Sequence, residues 1–272
     1  MSEAIVTYGT ATIAAVLLAI TAVYLWSSRV RLYRDLDHRH DEIARAGLGF
    51  AGAVATERQL PSFEHRLATL SKPLRDEEFR EIVSEIERLA KTERSFVPTH
   101  KKGGTVAYET LCMQAPGVVA LYQSAAFRHL VSSIVGVGVV PTPLHDQSSC
   151  SVLFYERPGD HIGWHYDHNF YKGRHFTVLL PIVNRDQDGE GVSAARLCAR
   201  IGGEDREIPT PANTLVVFEG AKVLHKATPI GEGERRVVLS MTFATDPSNS
   251  ILQGIARRVK DTAFFGIRAL WT

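Results

Sequence analysis

Hydrophobic and polar positions divide the chain into an uncharged apolar run, a helical first half and a strand-rich second half. From Ala4 to Ser28 no residue is charged, and Ile13 to Trp26 is dense in Ala, Val, Leu and Ile. A run of ~20 apolar residues has the length of one bilayer crossing. A core helix of a soluble domain ordinarily keeps a polar face, whereas this run offers only Ser, Thr, Tyr and Gly. The pattern predicts a transmembrane helix over residues 1–28. A polar helical connector follows, "RVRLYRDLDHRHDEIARAG", with a break near Gly47 in the Gly/Ala-rich "GLGFAGAV"; it spans residues 29–58.

Three further patterns organise the rest. "LRDEEFREIVSEIERLAKTE" places Phe79, Ile82, Val83, Ile86 and Leu89 on one face of an amphipathic helix. "APGVVALYQSAAFRHLVSSIVG" reads as a second helical region, with Pro116 at its start and Gly136 past its end. These make residues 59–145 a helical support region. After Pro143 come short β-branched or aromatic runs, "CSVLFYERPG", "HFTVLLPIVN", "NTLVVFEG" and "RRVVLSMTF", separated by Pro, Gly, Asp and Asn. Strands that follow helices rather than alternate with them predict a mainly β (α+β) fold, a sandwich or jelly roll over residues 146–245 with helices packed on one side. Residues 246–272 predict a closing helix.

Charge and cysteine content narrow the classes. The chain is 44% hydrophobic and 22% charged, with a net charge of +1. There is no basic surplus of the kind that nucleic-acid binders carry, so no nucleic-acid partner is expected. Cys112, Cys150 and Cys198 are scattered and odd in number, which fits buried free thiols better than disulfides or a metal site. Arg29, Arg31, Arg34 and Arg39 directly follow the apolar run. The positive-inside rule then predicts a single-pass membrane protein with its bulk in the cytoplasm. Glu3, with no Lys or Arg before the run, argues against a cleaved signal peptide.

Candidate chemistry concentrates in "GWHYDHNFYKGRHFTVLLPI", residues 163–182. His165 and Asp167, two apart in an extended segment, point to one face and can meet one ion. His225 sits downstream, after an apolar strand and a Gly-containing turn, and Arg236 opens another strand eleven residues later. Two histidines and one carboxylate make the facial triad of non-heme Fe(II), with positions left open. A chelating dicarboxylate such as 2-oxoglutarate leaves a distal carboxylate that a guanidinium fork can hold. Arg236 shares a strand face with Ser240 and Thr242, whereas Arg235 shares one with Leu239 and Met241; the hydroxyl-bearing face favours Arg236.

From about Ser148 to Phe243 the sequence resembles the Fe(II)/2-oxoglutarate-dependent dioxygenases, within them the prolyl 4-hydroxylase-like group. "YERPGDHIGWHYD" is similar to that group's tyrosine-to-HxD segment, "GRHFTVLLPIVN" to the strand after it, and "PANTLVVFEGAKVLHKATPI" to the segment bearing the distal histidine. "DGEGVSAARL" matches the usual turn before that histidine only in part. The resemblance implies a double-stranded β-helix with His165, Asp167 and His225 on iron. It also implies co-substrate contacts from the Tyr155 hydroxyl and Thr177, beside Arg236 and Ser240. Fe(II), 2-oxoglutarate and dioxygen follow as cofactors, with ascorbate as an accessory reductant.

Substrate expectations are broader. His168 and Arg174 are candidates for the substrate side of the site. Prolyl residues of a protein or peptide are what the resemblance implies, and the membrane helix raises a lipid or other small hydrophobic molecule. A non-catalytic jelly-roll sensor is the rival class. The tail joins Ile251, Leu252, Ile255, Val259, Phe264, Phe265 and Trp271 to Arg257, Arg258, Lys260 and Arg268. Such a helix either lies on an anionic bilayer or packs on the barrel.

Overall fold

The computed structural model describes residues 2–46, 59–89, 93–97, 101–143 and 146–265. Its first element, α1 (Ser2–Ala46), is one continuous helix of 45 residues. The expected border between a membrane segment and a connector is therefore not a break in the backbone. The break expected near Gly47 lies outside the described residues. α1 carries a segment, Thr12–Ile43, long and apolar enough to cross a membrane. Its apolar side chains stand free of the rest of the protein, with Leu18 71% and Trp26 68% exposed, whereas Leu36 and Ile43 further along are buried.

Strand β1 (Leu67–Ser71) and helix α2 (Asp76–Glu87) come next. In α2 the predicted apolar stripe faces inward: Ile82 and Ile86 are fully buried and Phe79 and Val83 partly so. Strands β2 (Glu93–Val97) and β3 (Lys101–Val106) pair antiparallel. The region expected as a helical support thus contributes strands as well. "KKGGTV" has little intrinsic strand preference and becomes one by pairing with neighbours in the sheet, tertiary context overriding propensity.

Helices α3 (Tyr108–Gln114), α4 (Pro116–Gln123) and α5 (Ala125–Val135) complete the support layer. Pro116 occupies the first turn of α4, where its missing N–H costs nothing. The predicted second helical region divides at Ser124, whose hydroxyl accepts the Phe127 N–H and caps α5. Gly136 ends α5 in the left-handed region at φ 70°, a conformation glycine adopts without penalty.

The remaining strands are β4 (Val140–Pro141), β5 (Cys150–Tyr155), β6 (His161–His165), β7 (His175–Arg185), β8 (Leu197–Ile201), β9 (Glu204–Ile208), β10 (Thr214–Phe218), β11 (His225–Ala227) and β12 (Arg235–Ala244), followed by helix α6 (Ile251–Phe265). With β1, β2 and β3 they form one curled antiparallel sheet in the order β1-β10-β7-β12-β5-β3-β6-β11-β8-β9, with β2 also paired to β3 and β4 to β12. The fold is mainly β and jelly-roll-like, as the strand pattern predicts.

Strand alternation separates two interiors. Val237, Leu239, Met241 and Phe243 of β12, with Phe176, Val178, Leu180 and Ile182 of β7, belong to the core shared with the helices. The intervening positions, Arg236, Val238, Ser240 and Thr242 of β12 and Thr177 and Leu179 of β7, line a cavity inside the roll. Both faces of these strands are buried, which is why they read as continuous apolar runs. All three cysteines are free and buried.

Helix α6 reverses the usual arrangement. Arg257 and Asp261 are buried and paired at 2.8 Å, and Lys260 reaches Asp261 at 2.7 Å. Ile251 and Leu252 are 84% and 78% exposed, with Ile255 and Val259 outward as well. Arg257 and Lys260 therefore do not form the outward basic face of a helix lying on anionic lipid. Trp271 and Arg268 lie outside the described residues.

Candidate metal centre

His165 ends β6 and His225 begins β11, and the antiparallel pairing sets them opposite each other. Asp167 follows β6, its N–H donating to the Gly220 carbonyl at 3.0 Å. The three side chains offer ligand atoms that all lie within 4.8 Å of one another. Asp167 Oδ1 is 3.5 Å from His165 Nε2 and 3.8 Å from His225 Nε2. Each imidazole Nδ1 faces a carbonyl two residues earlier, Gly163 O at 2.8 Å and Val223 O at 2.9 Å. A carbonyl can only accept, so the geometry assigns the proton to Nδ1 and leaves Nε2 free as a ligand. The Phe218 ring meets His225 edge-on at 4.6 Å, fixing its plane.

Electrostatics suit a cation. Burial works to raise the Asp167 carboxyl, but the His225 charge and the hydrogen bonds of His165 and Thr177 outweigh it and hold it well below the usual range. Burial lowers His225, more than Asp167 raises it. At His165 burial also works downward, but the Asp167 hydrogen bond and charge prevail and raise it. A carboxylate with two imidazoles sharing one point is a good donor set for a divalent first-row metal.

Thr177 lines the same cavity as Arg236, and its hydroxyl donates to Asp167 Oδ2 at 2.5 Å, a bond that fixes the carboxylate's orientation. Gly220 makes room for that pair, because a Cβ there would overlap both the Asp167 carboxylate and the Thr177 hydroxyl. The sequence signal for Gly220 is only its place in the turn before His225, and sequence reasoning does not single it out.

Arg236 pairs with Tyr155 on β5 and points into the cavity. It is 2% exposed, and its Nε and Nη1 have no hydrogen-bond partner among the described residues. Its guanidinium carbon lies 5.7 Å from the Tyr155 ring centre. Burial raises the Tyr155 phenol to about 12, with Arg236 opposing. Arg235 faces the other way, its Nε donating to Glu156 at 2.9 Å while Nη1 pairs with Glu87. The structure thus separates the two arginines that sequence spacing leaves adjacent.

The triad, Arg236, Tyr155, Thr177, Ser240 and His168 all line one cavity of about 200 Å³. His168 stacks on Phe170 at 5.7 Å. Arg174 does not line it: its Nη2 pairs with Glu219 at 3.1 Å and its guanidinium covers Phe176. Sequence reasoning misses Lys101, Asp146, His175 and Lys260, which also line the cavity. His175 leaves a buried Nδ1 without a hydrogen-bond partner among the described residues. Burial and the nearby Lys260 lower Lys101 to about 7.

The fold has counterparts among known proteins. A family model described as Halogenase D matches residues 62–181. No curated protein matches the sequence significantly. Among solved structures, the non-heme alpha ketoglutarate dependent epimerase SnoN from nogalamycin biosynthesis is 13% identical, with TM-score 0.55 over 74% of this chain and 83% of that one. A 2OG-Fe(II) oxygenase family oxidoreductase from Burkholderia pseudomallei is 13% identical, with TM-score 0.53 over 69% and 89%. A Pseudomonas putida prolyl-4-hydroxylase is 18% identical, with TM-score 0.46 over 74% and 98%. The chain has the jelly-roll fold of the 2-oxoglutarate–Fe(II) oxygenases, with a His-Asp-His group inside it.

Proposed function

We propose that this protein is a membrane-anchored Fe(II)/2-oxoglutarate-dependent oxygenase that hydroxylates an unactivated C–H bond. The observation that carries the reading is Arg236, a buried guanidinium with two open donors in the same cavity as the triad. A buried charge without a partner is costly, and a planar fork is matched by a carboxylate. His165, Asp167 and His225 would hold the iron; Arg236 would take the distal carboxylate, with Tyr155 and Ser240 beside it. Bound iron and 2-oxoglutarate supply the oxidation, in which dioxygen gives one oxygen atom to the substrate and one to succinate, with release of carbon dioxide. Ascorbate would serve as the reductant that keeps the iron ferrous.

The protein's own share is positional. Gly163 and Val223 carbonyls fix the imidazole tautomers, Thr177 orients Asp167, and Leu153, Leu179 and Val238 keep the cavity apolar around Arg236. Asp167 favours hydroxylation over halogenation, because a carboxylate ligand would take up a coordination position that a halide would otherwise hold.

A small membrane-delivered molecule is the substrate class best supported over a prolyl residue of a protein. The cavity is small, and both α1 and the outer side of α6 present exposed apolar side chains. The arginines after the apolar run support a cytoplasmic catalytic domain.

The test uses the full chain in detergent micelles, loaded anaerobically with Fe(II). We expect 2-oxoglutarate to bind only when metal is present, and exposure to air with membrane extract to release succinate. Mass spectrometry of the extract should show a +16 shift that His165→Ala protein does not produce. Metal binding without 2-oxoglutarate binding would instead identify a sensor module, and an active Asp167→Ala enzyme would refute the reading.

A further inference from the structure

We propose that Lys101 receives an acidic group of the primary substrate, a carboxylate or a phosphate monoester, and that the protein therefore oxidises a small organic acid. This rests on the oxygenase reading above and deepens it. Along β3 the inward positions are Lys101, Gly103 and Thr105. Lys101 is 4% exposed and lines the same cavity as the triad. It pairs with Ile162 on β6, the strand that ends at His165.

The side chains that touch its ammonium are neutral, and the nearest charge acting on it is another cation, Lys260. Nζ donates to the Thr105 hydroxyl at 2.8 Å and lies 4.9 Å from the Phe264 ring centre. Among the described residues no carboxylate pairs with it. Two other lysines line the cavity: the half-buried Lys226 lies over the Trp164 ring at 4.5 Å, and Lys260 has Asp261 at 2.7 Å and Asp146 at 3.9 Å. Arg257 beneath it has Asp261. Among the described residues, Lys101 and Arg236 are the fully buried cations of this cavity that have no anion beside them.

Counting charges then decides. A 2-oxoglutarate whose keto-acid end chelates the metal has one free carboxylate, and it can satisfy one of the two cations. Arg236 has the planar fork that matches it and two open donors. The co-substrate supplies no second anion, and an acidic group of the substrate is the partner that would hold Lys101 in its charged form. Gly103 lets β3 approach β5 closely, since a Cβ there would meet the Phe154 carbonyl at 3.1 Å. Burial and Lys260 lower Lys101 to about 7, and an arriving anion would restore its charge.

The experiment uses the full chain in detergent with Mn(II) and saturating 2-oxoglutarate, a state that binds without turnover. Hexanoate, hexyl phosphate and hexanamide are titrated by calorimetry. We expect one of the two acids to bind at least about tenfold more tightly than the amide, and which acid wins distinguishes a carboxylate from a phosphate substrate. Lys101→Met should fold, since it removes an uncompensated buried charge, and should lose that preference. Lys101→Arg should keep it. Both variants should hold 2-oxoglutarate within about twofold of the unaltered protein, because Lys101 is assigned no part in co-substrate binding. Equal affinity for acids and amide in the unaltered protein would overturn the proposal. So would a Lys101→Met variant that loses 2-oxoglutarate, which would make Lys101 a co-substrate residue. Failure of the oxygenase reading looks different, because the unaltered protein would then not take up 2-oxoglutarate at all.

Discussion

Thr177→Val separates two roles that the same hydroxyl could play. The substitution keeps the β-branched shape that β7 requires between Phe218 and Thr242, and removes one oxygen. That oxygen donates to Asp167 Oδ2 at 2.5 Å, while Asp167 Oδ1 faces both imidazoles. A hydrogen bond to a charged group contributes about 1.5–3 kcal/mol. Loss of a group that orients a metal ligand typically costs 10–100-fold in metal affinity. These two magnitudes agree, since each 1.4 kcal/mol is about tenfold. We therefore expect Thr177→Val to weaken Mn(II) or Co(II) binding by about 10–100-fold, measured by calorimetry on metal-free protein. Thr177→Ser should retain most of the affinity. At saturating metal, 2-oxoglutarate affinity should stay within about threefold, because the hydroxyl is committed to Asp167. Unchanged metal affinity with sharply weakened 2-oxoglutarate binding would refute the argument and return Thr177 to the co-substrate tail.

Arg236→Met should abolish detectable 2-oxoglutarate binding while leaving metal affinity within about threefold, and without co-substrate it should melt at a higher temperature, since it removes an uncompensated buried cation. Conversely, 2-oxoglutarate should raise the melting temperature of the unaltered protein but not of this variant. Gly220→Ala drives a methyl group into the Asp167–Thr177 pair, so metal affinity measured by calorimetry should fall at least about tenfold. Asp261→Asn leaves Arg257 buried without its full counter-charge, so denaturant unfolding should show a loss of about 3–5 kcal/mol.

Legibility followed the range of the interactions. The alternation in "HYD", the apolar strand ahead of His225 and the runs that became β5, β7, β10 and β12 are local patterns, readable from neighbours in the chain. Lys101 is not local. "KKGGTV" looks like a polar loop, and only its ladders to β5 and β6 make it a strand with an inward lysine. Thr177 and Gly220 needed the third dimension too, because which oxygen the hydroxyl meets depends on how closely the turn before His225 approaches β7. Arg235 and Arg236 differ by one position, and the register against Tyr155 decides which enters the cavity. In α6 the amphipathic period was legible but its sense was not. Buried Asp146 beneath it draws Lys260 inward, which turns the apolar side to the outside.

That inverted helix bears on how the protein behaves in solution. Removing residues 1–28 takes away one sticky surface and leaves another, since Ile251, Leu252, Ile255 and Val259 remain outward at the far end of the chain. A shortened protein would still self-associate in plain buffer and still require a mild surfactant. Replacing those four side chains with polar ones would disperse it without disturbing the ions beneath, because the paired charges lie on the opposite side of the same helix.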